Sequence, residues 1–194
     1  MGLDCYLSSK EILIDTAGWS DLLLGVVVGA LKPPDPMLME RRIPITSFQT
    51  PKFERKHYLE AAVRIADEII EVMKPKKDTC FKVCSEYVLS SLRRHLQEKG
   101  YSVYVLELPQ DFKEMVERGY LRWCSEVGVP NEILEEKRRF WAFLEWIAQR
   151  PHLREGLVKT GWASWKLKWR KEIYMEHLEI KRQKELASGN YNNA

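Results

Sequence analysis

The spacing of apolar and polar positions changes period along the chain. Ile12-Leu13-Ile14 is a short β-rich run that ends at Asp15. Residues 22–31 form a longer apolar run with Val26-Val27-Val28 at its centre. β-Branched side chains suit a strand better than a helix, and Gly25 and Gly29 weigh further against a helix. The pattern predicts two buried strands joined through a turn at Gly18. Lys32-Pro33-Pro34-Asp35-Pro36 extends neither, because proline fixes φ and has no N–H to donate. Residues 37–48 alternate loosely around Pro44, which predicts a third strand at an edge or with a bulge.

From residue 53 the period becomes helical. Leu59, Ala62, Val63, Ala66, Ile69, Ile70 and Met73 share one face, and Lys74-Pro75 stops the helix. Residues 79–84 read as a strand. Residues 86–99 read as an amphipathic helix on Val88, Leu89, Leu92 and Leu96, with Gly100 as its C-cap. Residues 101–108 read as a strand, and 111–126 as a helix broken at Gly119. The order is β-β-β-α-β-α-β-α. Three successive strands pair antiparallel through short turns, whereas later ones need crossover helices. The expectation is an α/β fold on a mixed sheet of about five strands. After Pro130, Asn131 caps a helix to about residue 149. Residues 157–187 read as one long charged helix kinked near Gly161, followed by a polar, frayed tail. Two regions result: an α/β core over 1–129 and a helical, Trp-rich extension over 130–194.

Composition narrows the class. Of the 194 residues 45% are hydrophobic and 30% charged, which suits a globular protein. The net charge of +3 gives no strong overall pull towards nucleic acid. Abundant Lys, Arg and Glu would also suit a heat-adapted, thermophilic protein. The longest apolar run is too short to span a bilayer, which needs about 20 residues. The Met-Gly-Leu-Asp-Cys start lacks the basic-then-apolar pattern of a secretory signal. Reduced thiols in a cytoplasmic setting are therefore expected at Cys5, Cys80, Cys84 and Cys124.

Ile14-Asp15-Thr-Ala-Gly18 followed by Gly25-Val-Val-Val-Gly29, with the element order above, resembles the ribonuclease H-like superfamily. That group includes ribonucleases H and Holliday-junction resolvases. The resemblance covers roughly residues 11–128 and rests on the element order and one carboxylate. It implies three or four carboxylates holding Mg²⁺, with two metals clamping the attacking and leaving oxygens of phosphodiester cleavage. Asp15 matches the first acid, at a strand end. Glu86 is the second candidate, just beyond the strand that would run beside the first. The third acid stays open: Glu107 and Asp111 flank a strand end, Glu132, Glu135 and Glu136 open the helix after Pro130, and Glu60 or Asp67 lie on the first helix. The acidic signature is incomplete, so a descendant that kept the fold and lost the chemistry is the alternative.

Each signal has a plainer reading. Asp15 could serve its turn, and Glu86 could complement a helix N-terminus. Cys80 and Cys84 would lie about 13 Å apart on a strand and no second pair completes a zinc set, so no zinc is expected. No phosphate-binding glycine loop is present, so no nucleotide cofactor is expected either. The extension carries the second signal. Trp162, Trp165 and Trp169 recur at helical spacing, interleaved with Lys166, Lys168, Arg170 and Lys171. Residues 151–194 hold nine Lys/Arg against five Asp/Glu. Such a segment grips nucleic acid by stacking and phosphate contact, or buries its tryptophans against the core or a second copy in a homodimer.

Overall fold

A computed structural model describes residues 10–34 and 37–189, with side chains through residue 184. Cys5 and the tail from residue 190 lie outside the described residues. The centre is a five-stranded mixed sheet in the order β3-β2-β1-β4-β5. Its strands are β1 (Glu11–Ala17), β2 (Val26–Leu31), β3 (Met39–Ile43), β4 (Cys80–Val83) and β5 (Ser102–Val105). The β1–β2 and β2–β3 pairs are antiparallel, and β4 and β5 continue parallel to β1. The α/β class, the mixed sheet and the antiparallel first three strands agree with the spacing of apolar residues.

Among the described residues seven α-helices follow the chain order: α1 (His57–Met73), α2 (Ser90–Glu98), α3 (Gln110–Glu126), α4 (Asn131–Leu134), α5 (Arg139–Gln149), α6 (Pro151–Arg154) and α7 (Arg170–Gly189). The stripe Ala62, Ile65, Ala66 and Ile69 is buried under α1, and α2 packs beside α1 through Leu92 and Leu96. Helix α3 lies across β1 and β2. Gly29 makes that approach close, because a Cβ there would stand 2.4 Å from Val116 Cγ2. Gly29 is the register partner of Asp15, and facing partners project to the same side of a sheet. Asp15 therefore emerges on the face that α3 covers.

Several boundaries differ from the expectations. The apolar run at 22–31 is not one strand. Leu24 has a left-handed φ of 57°, and residues 22–24 pair with the chain much later: Leu23 bridges Val158, Leu24 N–H donates to the Leu157 carbonyl and Lys159 N–H to that of Leu22. Helix α3 runs unbroken through Gly119. The helix expected from Asn131 to 149 is split into α4 and α5 around residues 135–138. The long helix expected from 157 starts later. Residues 155–157 form a 3-10 turn and 158–162 an irregular stretch; the helix begins at residue 163, passes through a π-helical turn at Trp165–Trp169 and continues as α7. Charge and occasional aromatics read as helix over 157–162, where backbone pairing of 157–159 to residues 22–24 prevailed.

Candidate active site

The carboxyl ends of the parallel strands open on a cleft of about 630 Å³. In open α/β sheets this is where ligands bind. Its wall is built from Asp15 and Thr16 of β1, Cys84, Ser85 and Glu86 just past β4, Val105 to Glu107 at the end of β5, and Gln110, Lys113, Glu114 and Glu117 of α3. Five carboxylates and one ammonium therefore share one cleft. Each arrives there for a backbone reason. The three strands run the same way, so the residues at and just after their ends collect on one edge. Helix α3 follows β5 immediately and returns over β1, and Glu114 and Glu117 lie three apart on one helix face.

Asp15 is the innermost acid, 6% exposed. One of its oxygens accepts the Thr16 N–H at 2.8 Å. Beside it the Cys84 thiol is pushed up to about 12 by burial and by the neighbouring Asp15 carboxylate. Cys84 is therefore a protonated thiol across the physiological range and no nucleophile. Lys113 donates to Glu107 at 2.9 Å. That contact raises the ammonium and lowers the carboxyl, and Asp15 and Cys84 add to the effect on Lys113. Gln110 donates to Glu114 at 3.1 Å. Glu117 is paired with Arg139 of α5, whose guanidinium also reaches Asp21 at 3.1 Å. Burial works against that charge, but Asp21 and Glu117 outweigh it and raise the Arg139 pKa.

Three of the four candidate metal ligands named from the sequence, Asp15, Glu86 and Glu107, meet in this cleft. Asp111 does not line it; it is an exposed residue in the first turn of α3. Of the other acids weighed, Asp67 is held by His95 and Lys99 at the surface, and Glu132, Glu135 and Glu136 lie far along the chain on α4 and the segment after it. Glu114, Glu117 and Lys113 went unread, although an acid pair three apart just past a strand is a signal the sequence did carry. Carboxylate oxygens are the hard donors that Mg²⁺ takes. Among the described residues no three Asp, Glu, His or Cys side chains stand close enough to hold one ion. The donor type fits the cation, and the side-chain spacing would have to tighten around it.

The tryptophans expected as contacts are largely docked. Trp165 is 1% exposed, a side chain of the core rather than a face for a ligand. Trp169 meets Phe140 and Trp141 edge-on at 5.6 and 5.1 Å, and Trp162 packs half-buried on the core. Lys166 is paired with Glu54, and Arg170 with Glu155 at 2.6 Å. Lys168 lies 4.0 Å over the Trp169 ring. The apolar body of an indole gains more from burial than from stacking in water, and that decides this segment.

Among solved structures the chain is similar to the catalytic core domain of BIV integrase, with 12% identity and a TM-score of 0.36 over 66% of this chain and 78% of that one. No family model matches the chain, and no curated protein does. No helix among the described residues is long and apolar enough to cross a membrane.

Proposed function

We propose that the cleft is a metal-dependent nucleic-acid-processing site of ribonuclease H-like design, hydrolysing phosphodiesters. One observation carries the reading: Asp15, Glu86, Glu107, Glu114 and Glu117 come from four separate segments and face a single cleft at the strand ends. The sheet order, with β1–β3 antiparallel and β4 then β5 continuing parallel on the other side of β1, supports the same reading. Asp15 and Glu86 would hold Mg²⁺, with Glu107 or the α3 pair completing the set. Bound there, the ion would polarise a phosphoryl oxygen and orient and acidify the attacking water. The chain's own groups do the rest. The Thr16 N–H fixes the Asp15 carboxylate, burial keeps Cys84 a neutral thiol beside it, and Lys113 offers the cleft's single positive charge to a phosphate.

The test is cleavage of branched DNA and of an RNA–DNA hybrid with Mg²⁺ or Mn²⁺. Asp15→Asn should lower the rate by on the order of 100-fold or more while the circular dichroism spectrum is kept, since even supporting groups of metal sites are worth 10–100-fold. Full activity in Asp15→Asn, or no cleavage of either substrate, sinks the proposal.

A second reading has its own support: a non-catalytic interaction protein on the same fold. Glu107 and Glu117 already have internal cations, Lys113 and Arg139. On α7 and the turn before it, Leu167, Met175 and Leu178 are exposed and apolar, a surface for a second copy. Absence of Mn²⁺ binding by calorimetry, with a dimer by sedimentation, would favour it.

A further inference from the structure

The chain that leaves β3 arrives at the same edge of the sheet as the cleft. β3 is antiparallel to β2 and β2 to β1, so β3 runs with β1 and ends where β1, β4 and β5 end. Residues 44–56 therefore cross that edge before α1 runs back along the sheet. Contacts tie the segment to Asp15 at one end and to Glu86 at the other. Trp19, four residues beyond Asp15, meets Tyr58 with ring centres 5.6 Å apart. Two residues before Tyr58, the Lys56 ammonium donates to the Tyr87 hydroxyl at 3.0 Å, and Tyr87 directly follows Glu86 of the cleft wall. The Arg93 guanidinium donates to the carbonyls of Cys84 and Glu86 at 2.7 and 3.1 Å. It thereby fixes the stretch that carries Glu86 into the cleft and Tyr87 onto its rim.

We infer that this rim, built from Lys52, Arg55, Lys56 and Tyr87, holds an unpaired strand of nucleic acid where it leaves the cleft, with phosphates on the three cations and a base against the tyrosine ring. The path out of the cleft rests on the phosphodiester reading of that cleft; the binding surface itself does not.

Charge and ring carry the inference together. Lys52, Arg55 and Lys56 are exposed, and among the described residues none of them is paired with a carboxylate: Glu54 is held by Lys166, and Glu60 faces His57 at 4.0 Å. Lys166 and Arg170, the cations expected to grip nucleic acid, are by contrast already neutralised. Cations without acid partners gain from a polyanion through the release of its counterions. Tyr87 is 47% exposed. The Lys56 ammonium is 3.0 Å from its hydroxyl but 5.5 Å from its ring centre, so it stands off the hydroxyl and not over a face. Such a ring is stacked by a base that has left its own duplex. A bilayer would need apolar side chains here as well. The large apolar residue of the segment, Phe53, is instead stacked on Tyr58 at 5.4 Å.

Fluorescence anisotropy of a labelled oligothymidine and of a duplex of equal length tests the rim, in EDTA so that neither metal nor cleavage enters. Tyr87→Leu should weaken the single strand at least about fivefold and leave the duplex unchanged, whereas Tyr87→Phe keeps the ring and the binding. Lys52→Gln with Arg55→Gln should flatten the slope of log K against log salt by about 1.4, about 0.7 for each lost phosphate contact. Lys168→Gln with Lys171→Gln, near and on α7, should leave that slope as it is. The inference is overturned if oligothymidine does not bind, if Tyr87→Leu binds it like the wild type, or if the slope falls with the α7 pair instead. Phosphatidylserine vesicles that bind through Lys52 and Arg55, with oligothymidine unbound, would assign the surface to a membrane and overturn it too. Oligothymidine held by the rim, with no cleavage of any substrate once Mg²⁺ is added, leaves the rim standing and removes the nuclease reading. Cleavage by a protein whose rim variants bind like the wild type does the reverse.

Discussion

Two lysines point at clusters of oxygen within a few residues of the same strand end, and they are in opposite states. Lys159 is sealed under the β1–β2 turn against three carbonyls, and burial brings it down to about 7. Lys113 stands at the mouth of the cleft against Glu107, a full negative charge, and is raised. Carbonyl dipoles in a dry cage satisfy the N–H groups of an ammonium without cancelling its charge, while a carboxylate in contact with water cancels the charge without drying it. The turn side of β1 is thus closed and structural, and the cleft side is open and adjustable. The two faces differ in what a substitution should do.

The closed side should break hardest at Gly18. Its φ is +84°, and a Cβ there would stand 2.3 Å from the Tyr120 ring, whose hydroxyl donates to the Leu23 carbonyl at 2.9 Å. Ala there must strain the backbone and push away a fully buried tyrosine. Gly18→Ala should cost about 3 kcal/mol or more, read by urea denaturation. A loss under about 1 kcal/mol would show that the turn is as adjustable as the cleft.

Arg139 sits on the boundary between the two sides, and its removal should cost less. Arg139→Met leaves the buried Asp21 and the half-buried Glu117 without their shared cation. The expected loss is about 1–3 kcal/mol, below the figure for a fully buried pair because Glu117 keeps some water. Adding Asp21→Asn should recover part of it, since a neutral amide needs no cation. If the double variant is no better than the single one, the guanidinium was held for Glu117 alone, and the boundary belongs to the cleft.

The closed side and the open side were also unequally legible. The sheet could be read because β-branched runs, prolines and helical stripes act locally: Val26-Val27-Val28 makes a strand whatever lies above it. Asp15, Glu86 and Glu107 could be placed because strand ends gather at one edge in any parallel arrangement. Glu114 and Glu117 were within reach and missed, since acids on a helix usually face water. Lys159 was beyond reach. A lysine between valine and threonine gives no sign that the chain will fold back 138 residues to cage it against Asp21. The same long-range pairing took residues 157–159 out of the expected helix, which begins only at residue 163, and Trp165 took the buried one of the two places its spacing allowed.

The smallest effect is expected at Lys113, and it sharpens the comparison most. Glu107 is 87% exposed at its side chain, and exposed ion pairs add little to stability. Lys113→Met should therefore leave the urea midpoint unchanged within error, with no new dependence between pH 7 and 10. What it should change is the field of the cleft. Removing the single ammonium among five carboxylates leaves their repulsion uncompensated, so Mn²⁺ should raise the melting temperature of Lys113→Met more than that of the wild type. A metal-induced shift equal in both proteins would mean that the acids are too far apart to act on one ion. A large loss of stability would mean that Lys113, like Lys159, holds the fold together rather than tuning a site.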